Sequence, residues 1–306
     1  MPNESLMAWI LFNACVLALL ALDLWGFHRR AHGTGVRQAL IASAGWIGLA
    51  AAFALGVWFC RGRLRALEFT TGYLVEESLS IDNLFVFLLI FRYFRVPPQW
   101  QHKVLFAGIL GALLMRGAFI LAGVSLLRRF DWIAYVFGAF LVYMGAKLVF
   151  AGQVQVNPEG NPLLRIFRRR MRMTPDYVEG AFLVKREALY VTPLLLVLLA
   201  IEASDLLFAV DSVPAVLAVT RDPFIAYTSN VCAILGLRSL YFALAAMLER
   251  CAGLHYAVSA ILVFIGARML LAKFYTLPIG LTLGVVAGVL AASVVWSLLV
   301  PESCTT

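Results

Sequence analysis

The chain has 306 residues, 62% hydrophobic and 14% charged, with a mean hydropathy of +0.89 and a formal net charge of +8. Soluble domains run at roughly 45–50% apolar and about 25% charged, so soluble globular and disordered classes are excluded. The apolar runs are continuous rather than alternating, which excludes a transmembrane β-barrel, and five cysteines with no CxxC pair exclude a disulfide scaffold.

A membrane-spanning helix needs ~20 apolar residues, and nine such runs follow one another: Leu6–Phe27, Ala39–Cys60, Leu67–Phe91, Val104–Leu127, Trp132–Phe150, Leu189–Val219, Phe224–Leu248, Tyr256–Ala272 and Leu277–Val300. The expected fold is an all-α polytopic membrane protein. The first run is preceded by Met1-Pro2-Asn3-Glu4, and its charges, Arg29 and Arg30, follow it. It therefore reads as a span rather than a cleaved leader. Cys15, Cys60, Cys232, Cys251 and Cys304 read as small buried apolar residues.

The basic residues sit at span ends and in one long connection, a membrane-orientation pattern rather than a nucleic-acid surface. The connections 1–2, 3–4, 5–6 and 7–8 hold fourteen Lys and Arg, and those on the other side hold seven. The positive-inside rule then puts the N-terminus outside and the C-terminus in the cytoplasm. The long 5–6 connection contains Arg165-Ile-Phe-Arg-Arg-Arg-Met-Arg172, read as a solvated cytoplasmic loop, with an anionic lipid surface as the alternative. Gly180–Val191 is a candidate short hairpin.

Two segments resemble each other. Glu76-Glu-Ser-Leu-Ser-Ile-Asp82-Asn83 in span 3 and Asp205-Leu-Leu-Phe-Ala-Val-Asp211-Ser212 in span 6 both read acid, five residues, Asp, then a small amide or hydroxyl. Downstream, Leu-Val-Tyr-Met-Gly145-Ala-Lys147 matches Leu-Val-Phe-Ile-Gly266-Ala-Arg268, with Arg116 and Arg238 in the intervening spans. Spans 3–5 therefore repeat as spans 6–8. Units of three helices enter the membrane in opposite senses, the inverted repeat of secondary transporters, whose site lies at the midplane between the halves. The resulting division is residues 1–66 as two flanking helices, 67–152 as the first repeat, 153–188 as the basic loop, 189–273 as the second repeat, and 274–306 as a last helix and tail.

Glu76, Asp82, Glu202, Asp205 and Asp211 lie inside apolar spans, as do Arg116, Lys147, Arg238 and Arg268. Each such charge costs roughly 2.5–3.5 kcal/mol even on the lenient insertion scale, so they must pair, line water or bind an ion. The four bases are the charge-pairing candidates, with Lys147 and Arg268 near enough to span ends to snorkel. Glu202 and Asp205, three apart, share a helix face. Residues six apart do not, so Glu76 with Asp82, and Asp205 with Asp211, converge only at a broken helix or where several helices meet. Pro214 offers a break in span 6 that frees the Val210 carbonyl. Ser78, Ser80, Asn83, Ser204 and Ser212 add oxygens, and no His lies mid-span. Such a set suits Mn²⁺, Mg²⁺ or Ca²⁺ rather than Zn²⁺ or Cu⁺. Asp23, near the end of span 1, reads as interfacial.

These residues carry a resemblance. Leu74-Val-Glu76-Glu-Ser-Leu-Ser-Ile-Asp82-Asn83 with Ile201-Glu202-Ala-Ser-Asp205 through Val213-Pro214 looks like the TerC family. Thr220-Arg-Asp222-Pro223 and Thr228-Ser-Asn230 with the downstream Arg238 resemble its Alx branch. The resemblance implies a bacterial inner-membrane protein of metal homeostasis that exports Mn²⁺, and the family name reflects an association with tellurite resistance. It places metal-site positions on Glu76, Asp82, Asn83, Glu202, Asp205, Asp211, Ser212 and Asn230, the last equally readable as an interhelical hydrogen bond. Asp82, Asp211, Glu76 and Glu202 would bind the ion, Asp205 would bind it or pair with an arginine, and Arg116 and Arg238 would pair with carboxylates in the empty site. The expected function is thus a proton-coupled Mn²⁺ exporter with lipid, cation and protons as partners. No prosthetic group or nucleic acid is expected, and homo-oligomerisation is left open. The alternatives are another cation, a cationic amino acid, or a scaffold of a stress-response complex. No GxGD motif surrounds Asp82 or Asp211 and no nucleophile–base set appears, so an enzyme is not expected.

Overall fold

In hydrocarbon the backbone has no water to bond, so each apolar run closes its hydrogen bonds on itself as a helix. The structure, a computed structural model, describes residues 6–28, 36–130, 132–151, 173–185, 189–245, 254–271 and 277–299. Nine helices lie among the described residues: α1 Leu6–His28, α2 Val36–Arg61, α3 Arg63–Tyr93, α4 Pro98–Arg129, α5 Ile133–Ala151, α6 Pro193–Val219, α7 Pro223–Ala245, α8 Leu254–Leu271 and α9 Ile279–Leu299. Each overlaps one expected span. Four are long and apolar enough to cross a bilayer, namely α1, α2, α4 and α6, while α5, α8 and α9 carry shorter apolar stretches. The Glu76, Glu77 and Asp82 charges keep α3 out of the first group.

The expected span at Leu189–Val219 divides. Leu189–Val191 (β2) pairs antiparallel with Leu183–Lys185 (β1), Leu183 opposite Val191, and α6 starts only at Pro193. Proline suits the first helical turn, where its missing N–H has no partner to lose. The hairpin expected over Gly180–Val191 is therefore present. It docks on the α3–α4 turn: Lys103 Nζ donates to the Gly180 carbonyl at 2.8 Å, and the Tyr177 hydroxyl to the Phe94 carbonyl at 2.8 Å. Gly180 has φ +67 and lies against the Trp100 indole, where a Cβ has no room. The Arg165–Arg172 run lies outside the described residues.

Helices α3 and α4 pack against α6 and α7, and α5 packs against α8. Helix α2 covers α7 and α3, and α9 covers α3 and α8. Helix α1 runs in the same direction as α7: Trp9 and Phe12 meet Phe224, the Tyr227 hydroxyl donates to Asn13 Oδ1 at 2.7 Å, and Asp23 pairs with Arg238. The connections gather at two ends. At one, Thr220 and Asp222 meet Glu68, Arg65 and Arg61. At the other, the 173–192 segment meets the α3–α4 turn, and Tyr241 bonds Gln101.

The expected break at Pro214 does not occur. Helix α6 runs unbroken from Pro193 to Val219 with Pro214 inside it. Proline removes one intrahelical bond, and α6 is held through that stretch by burial, with Ala215 and Val216 fully enclosed.

The α5–α8 contact is close because it lacks side chains. A Cβ on Gly266 would stand 2.7 Å from the Gly138 carbonyl oxygen, and one on Gly145 would stand 2.8 Å from that of Ser259. Backbone cannot yield as a side-chain tip does, so Gly266→Ala should cost about 1–3 kcal/mol and lower the midpoint of thermal unfolding in detergent. Gly288→Ala, where nothing lies within 4 Å, should not lower the midpoint, since alanine favours a helix interior over glycine.

Candidate functional site

The centre of the α3–α4–α6–α7 bundle is polar. Arg116 of α4 is 1% exposed, Glu76 of α3 is 0% and Asp205 of α6 is 3%. Arg116 Nη1 forms an ion pair with Glu76 Oε1. Its Nη2 donates to Asp205 Oδ1 at 2.9 Å and its Nε to Oδ2 at 3.4 Å, the two-pronged geometry in which guanidinium and carboxylate bind best. Arg116 Nη1 also lies 3.3 Å from Ser212 Oγ. Glu76 Oε2 accepts from Asn230 Nδ2 of α7 at 2.7 Å, and Oε1 accepts from Ser80 Oγ at 3.4 Å. Two carboxylates and one guanidinium leave a formal excess of one negative charge, held by side chains of four helices.

Helical spacing explains the set. Glu76 and Ser80, four apart, stack on one face of α3. Asp205 and Ser212, seven apart, return to one face of α6 after two turns. Convergence thus comes from several helices meeting, not from a broken one.

Glu202 stands apart. It is half-buried one turn before Asp205, and its carboxylate lies on the α4 backbone where a side chain at Gly111 would otherwise stand. The absent Cβ of Gly111 makes that seat. Asn83 is 3% exposed, and among the described residues neither its Nδ2 nor the buried Asn230 Oδ1 has a hydrogen-bond partner. The backbones of Asp82 and Asp211 lie in α3 and α6, while their side chains lie outside the described residues. Among the described residues no group of three His, Cys, Asp or Glu is arranged to hold a metal ion.

The other bases separate. Arg238 of α7 does not join the central cluster and pairs with Asp23 of α1. Asp23 is therefore more than interfacial: its side chain is 27% exposed and it ties α1 to α7. Arg268 Nη1 donates to the Ala218 carbonyl at 3.1 Å, and Lys147 is exposed at the end of α5, as snorkelling requires. Cys15 and Cys60 are exposed rather than buried, because α1 and α2 turn much of their surface outward.

Sequence reasoning passed over Glu77. It neighbours Glu76 on α3, its Oε2 is buried with no hydrogen-bond partner among the described residues, and Tyr73 sits one turn before it. The signal was present as a second consecutive glutamate in an apolar run. It also passed over the Arg65–Glu68–Thr220 contacts, in which Glu68 Oε2 accepts from Arg65 Nη1 and Thr220 Oγ1, both at 2.7 Å.

A family model described as "Integral membrane protein TerC family" matches residues 62–304, a stretch that holds every member of the polar cluster. The chain belongs to the TerC family. Its relatives include an uncharacterised membrane protein of Myxococcus xanthus, STKORF319, 49% identical over 95% of this chain and 92% of that one. A Salmonella typhi protein named as a proposed membrane-bound redox modulator, Alx, is 45% identical over 94% and 92%. The Escherichia coli K12 protein of the same name is 46% identical over 92% and 91%. No solved structure matches the chain. With its family and its apolar helices, this TerC member is an integral multi-pass membrane protein.

Removing one partner of a buried ion pair strands the others and costs about 3–5 kcal/mol. Arg116→Met should therefore lower the thermal unfolding midpoint sharply. Adding Glu76→Gln and Asp205→Asn to it should restore most of the loss, whereas independent effects would add.

Proposed function

We propose that the protein is a proton-coupled exporter of a divalent cation, Mn²⁺, in the bacterial inner membrane. The observation that carries this reading is the buried cluster of Glu76, Asp205, Arg116, Ser212 and Asn230 where four helices meet. The cluster sets two carboxylates against one guanidinium, and an excess of buried negative charge favours a cation. It also holds an uncommitted buried oxygen, Asn230 Oδ1. Asp82 and Asp211 lie on the same two helices as Glu76 and Asp205, six residues further along each.

The helix pairing supports an inverted repeat. Helices α3, α4 and α5 form one unit and α6, α7 and α8 the other; α3 pairs with α7 as α4 pairs with α6, and α5 pairs with α8. That exchange is what a two-fold relation between units produces. The gathering of connections at two alternating ends, and the parallel run of α1 and α7, support nine passes. With the excess of Lys and Arg on the side of the long loop, the N-terminus is outside and the C-terminus cytoplasmic.

In the empty state Arg116 neutralises Glu76 and Asp205. A divalent cation at Asp82, Asp211, Glu76 and Glu202, with Asn83, Ser212 and Asn230 as oxygen donors, brings two positive charges and competes with the Arg116 guanidinium for Glu76. Protons arriving on those carboxylates release the ion. If the buried charge is to stay constant, two protons replace each divalent ion, because a net charge in a low-dielectric bundle is costly. The protein acts as a transporter, not an enzyme.

In proteoliposomes holding a Mn²⁺-quenched dye and a pH dye, the wild type should move Mn²⁺ against protons, and Asp211→Asn should abolish both fluxes while remaining folded. Absence of Mn²⁺, Ca²⁺ and Mg²⁺ flux in folded wild type would point to a cationic amino acid or to a scaffold. The relatives' redox name supplies a second reading, with Cys15, Cys60 and Cys232 as the described thiols. Replacing all three with Ser should leave transport intact, and a loss would favour the redox reading.

A further inference from the structure

A cavity of about 340 Å³ opens at the end of the bundle opposite the hairpin, between α3, α5, the C-terminus of α6 and α8. Its charged lining is Arg65, Arg221, Arg268 and Glu68, with Leu217 and Met269 among its apolar walls. Glu68 is already engaged by Arg65 and by Thr220. Asp222, just behind, faces Arg61 and Arg65 and spends Oδ1 on the backbone N–H groups of Phe224 and Ile225. The local carboxylates are thus committed. Arg221 is exposed with no ion-pair partner among the described residues, and Arg268 spends one Nη1 donor on the Ala218 carbonyl. Four guanidiniums against two carboxylates leave this end net positive, so the cavity repels the cation that the buried acids would hold. It is not that cation's mouth.

We infer that this cavity binds a phosphate-bearing anion through Arg221 and Arg268. Guanidinium forks match phosphate oxygens two at a time. The apolar walls fit the glycerol and upper acyl part of an anionic phospholipid whose headgroup enters from the adjoining leaflet. Free phosphate is the other source of the same chemistry. The inference is independent of the transport reading, since none of the buried acids takes part.

The test is native mass spectrometry of the full chain in detergent, titrated with phosphatidylglycerol or with diacylglycerol, which has the same glycerol and acyl part but no phosphate, beside calorimetric titration with inorganic phosphate. The wild type should hold phosphatidylglycerol at least about tenfold tighter than diacylglycerol, the factor one charge-assisted hydrogen bond to the phosphate supplies. Arg221→Gln with Arg268→Gln should erase that preference. Phosphate binding that is lost in the same variant, without a lipid preference, supports the site with the free anion as its ligand. Equal retention of both lipids with no phosphate binding, or a preference unchanged in the double variant, overturns the inference. Should the double variant fail to fold, Arg221→Gln alone, at an exposed position, still reports: it should reduce the preference, and an unchanged preference counts against the site.

Discussion

A guanidinium enclosed in an apolar helix bundle is the constraint on which this structure turns. Arg116 is among the largest fully buried side chains of the chain, and its charge cannot be neutralised by losing a proton. It must therefore be met by carboxylates, and it is met from two sides, by Glu76 of α3 and Asp205 of α6. That requirement fixes how α3, α4 and α6 are rotated against one another. Asn230 extends the same network to α7. A shift of one residue along any of these helices would turn its polar group by about 100° and strand the others. The cluster consequently acts as a unit, and whatever changes the partner of one carboxylate changes the balance for all.

The two buried arginines are used differently. Arg116 of α4 is met by α3 and α6, whereas Arg238 of α7 is tied to Asp23 of α1. One arginine therefore joins three helices at the centre of the bundle, while the other fastens α1 to its flank. The glycine contact of α5 with α8 lies away from both and holds backbone against backbone.

Much of this was legible in the sequence because hydrocarbon leaves so few options. Continuous runs of ~20 apolar residues can only be helices, and the nine expected runs match the described helices to within about six residues, the largest difference being α4, which starts at Pro98 rather than Val104; at α6 the difference is one of structure type. There, Leu189–Val191 is apolar enough to join the span but pairs as a strand with Leu183–Lys185. Composition does not distinguish a short buried strand from the first turn of a helix. The charges of α3, α4 and α6 announced a polar centre, since unpaired they could not stay in the membrane. Which base met which acid was not readable. Arg238 and Asp23 are 215 residues apart in sequence, and no spacing rule connects them. Pro214 misled for a related reason: proline's local cost is known, but whether the neighbouring helices hold the helix straight is a property of packing. Glu77 went unremarked because Glu76 supplied the expected acid, although the residue beside it faces a different side of α3.

The central claim is that Arg116 and a divalent cation compete for the same carboxylates. It is tested most directly by the affinity of folded protein for Mn²⁺, read from the loss of the free-ion electron paramagnetic resonance signal, in wild type and in Arg116→Gln. Removing the competing guanidinium should tighten Mn²⁺ binding by about tenfold or more, the effect of a coupling energy of ~1.4 kcal/mol. Affinity that is unchanged or weaker in folded Arg116→Gln would contradict the account and leave the cluster a structural ion pair.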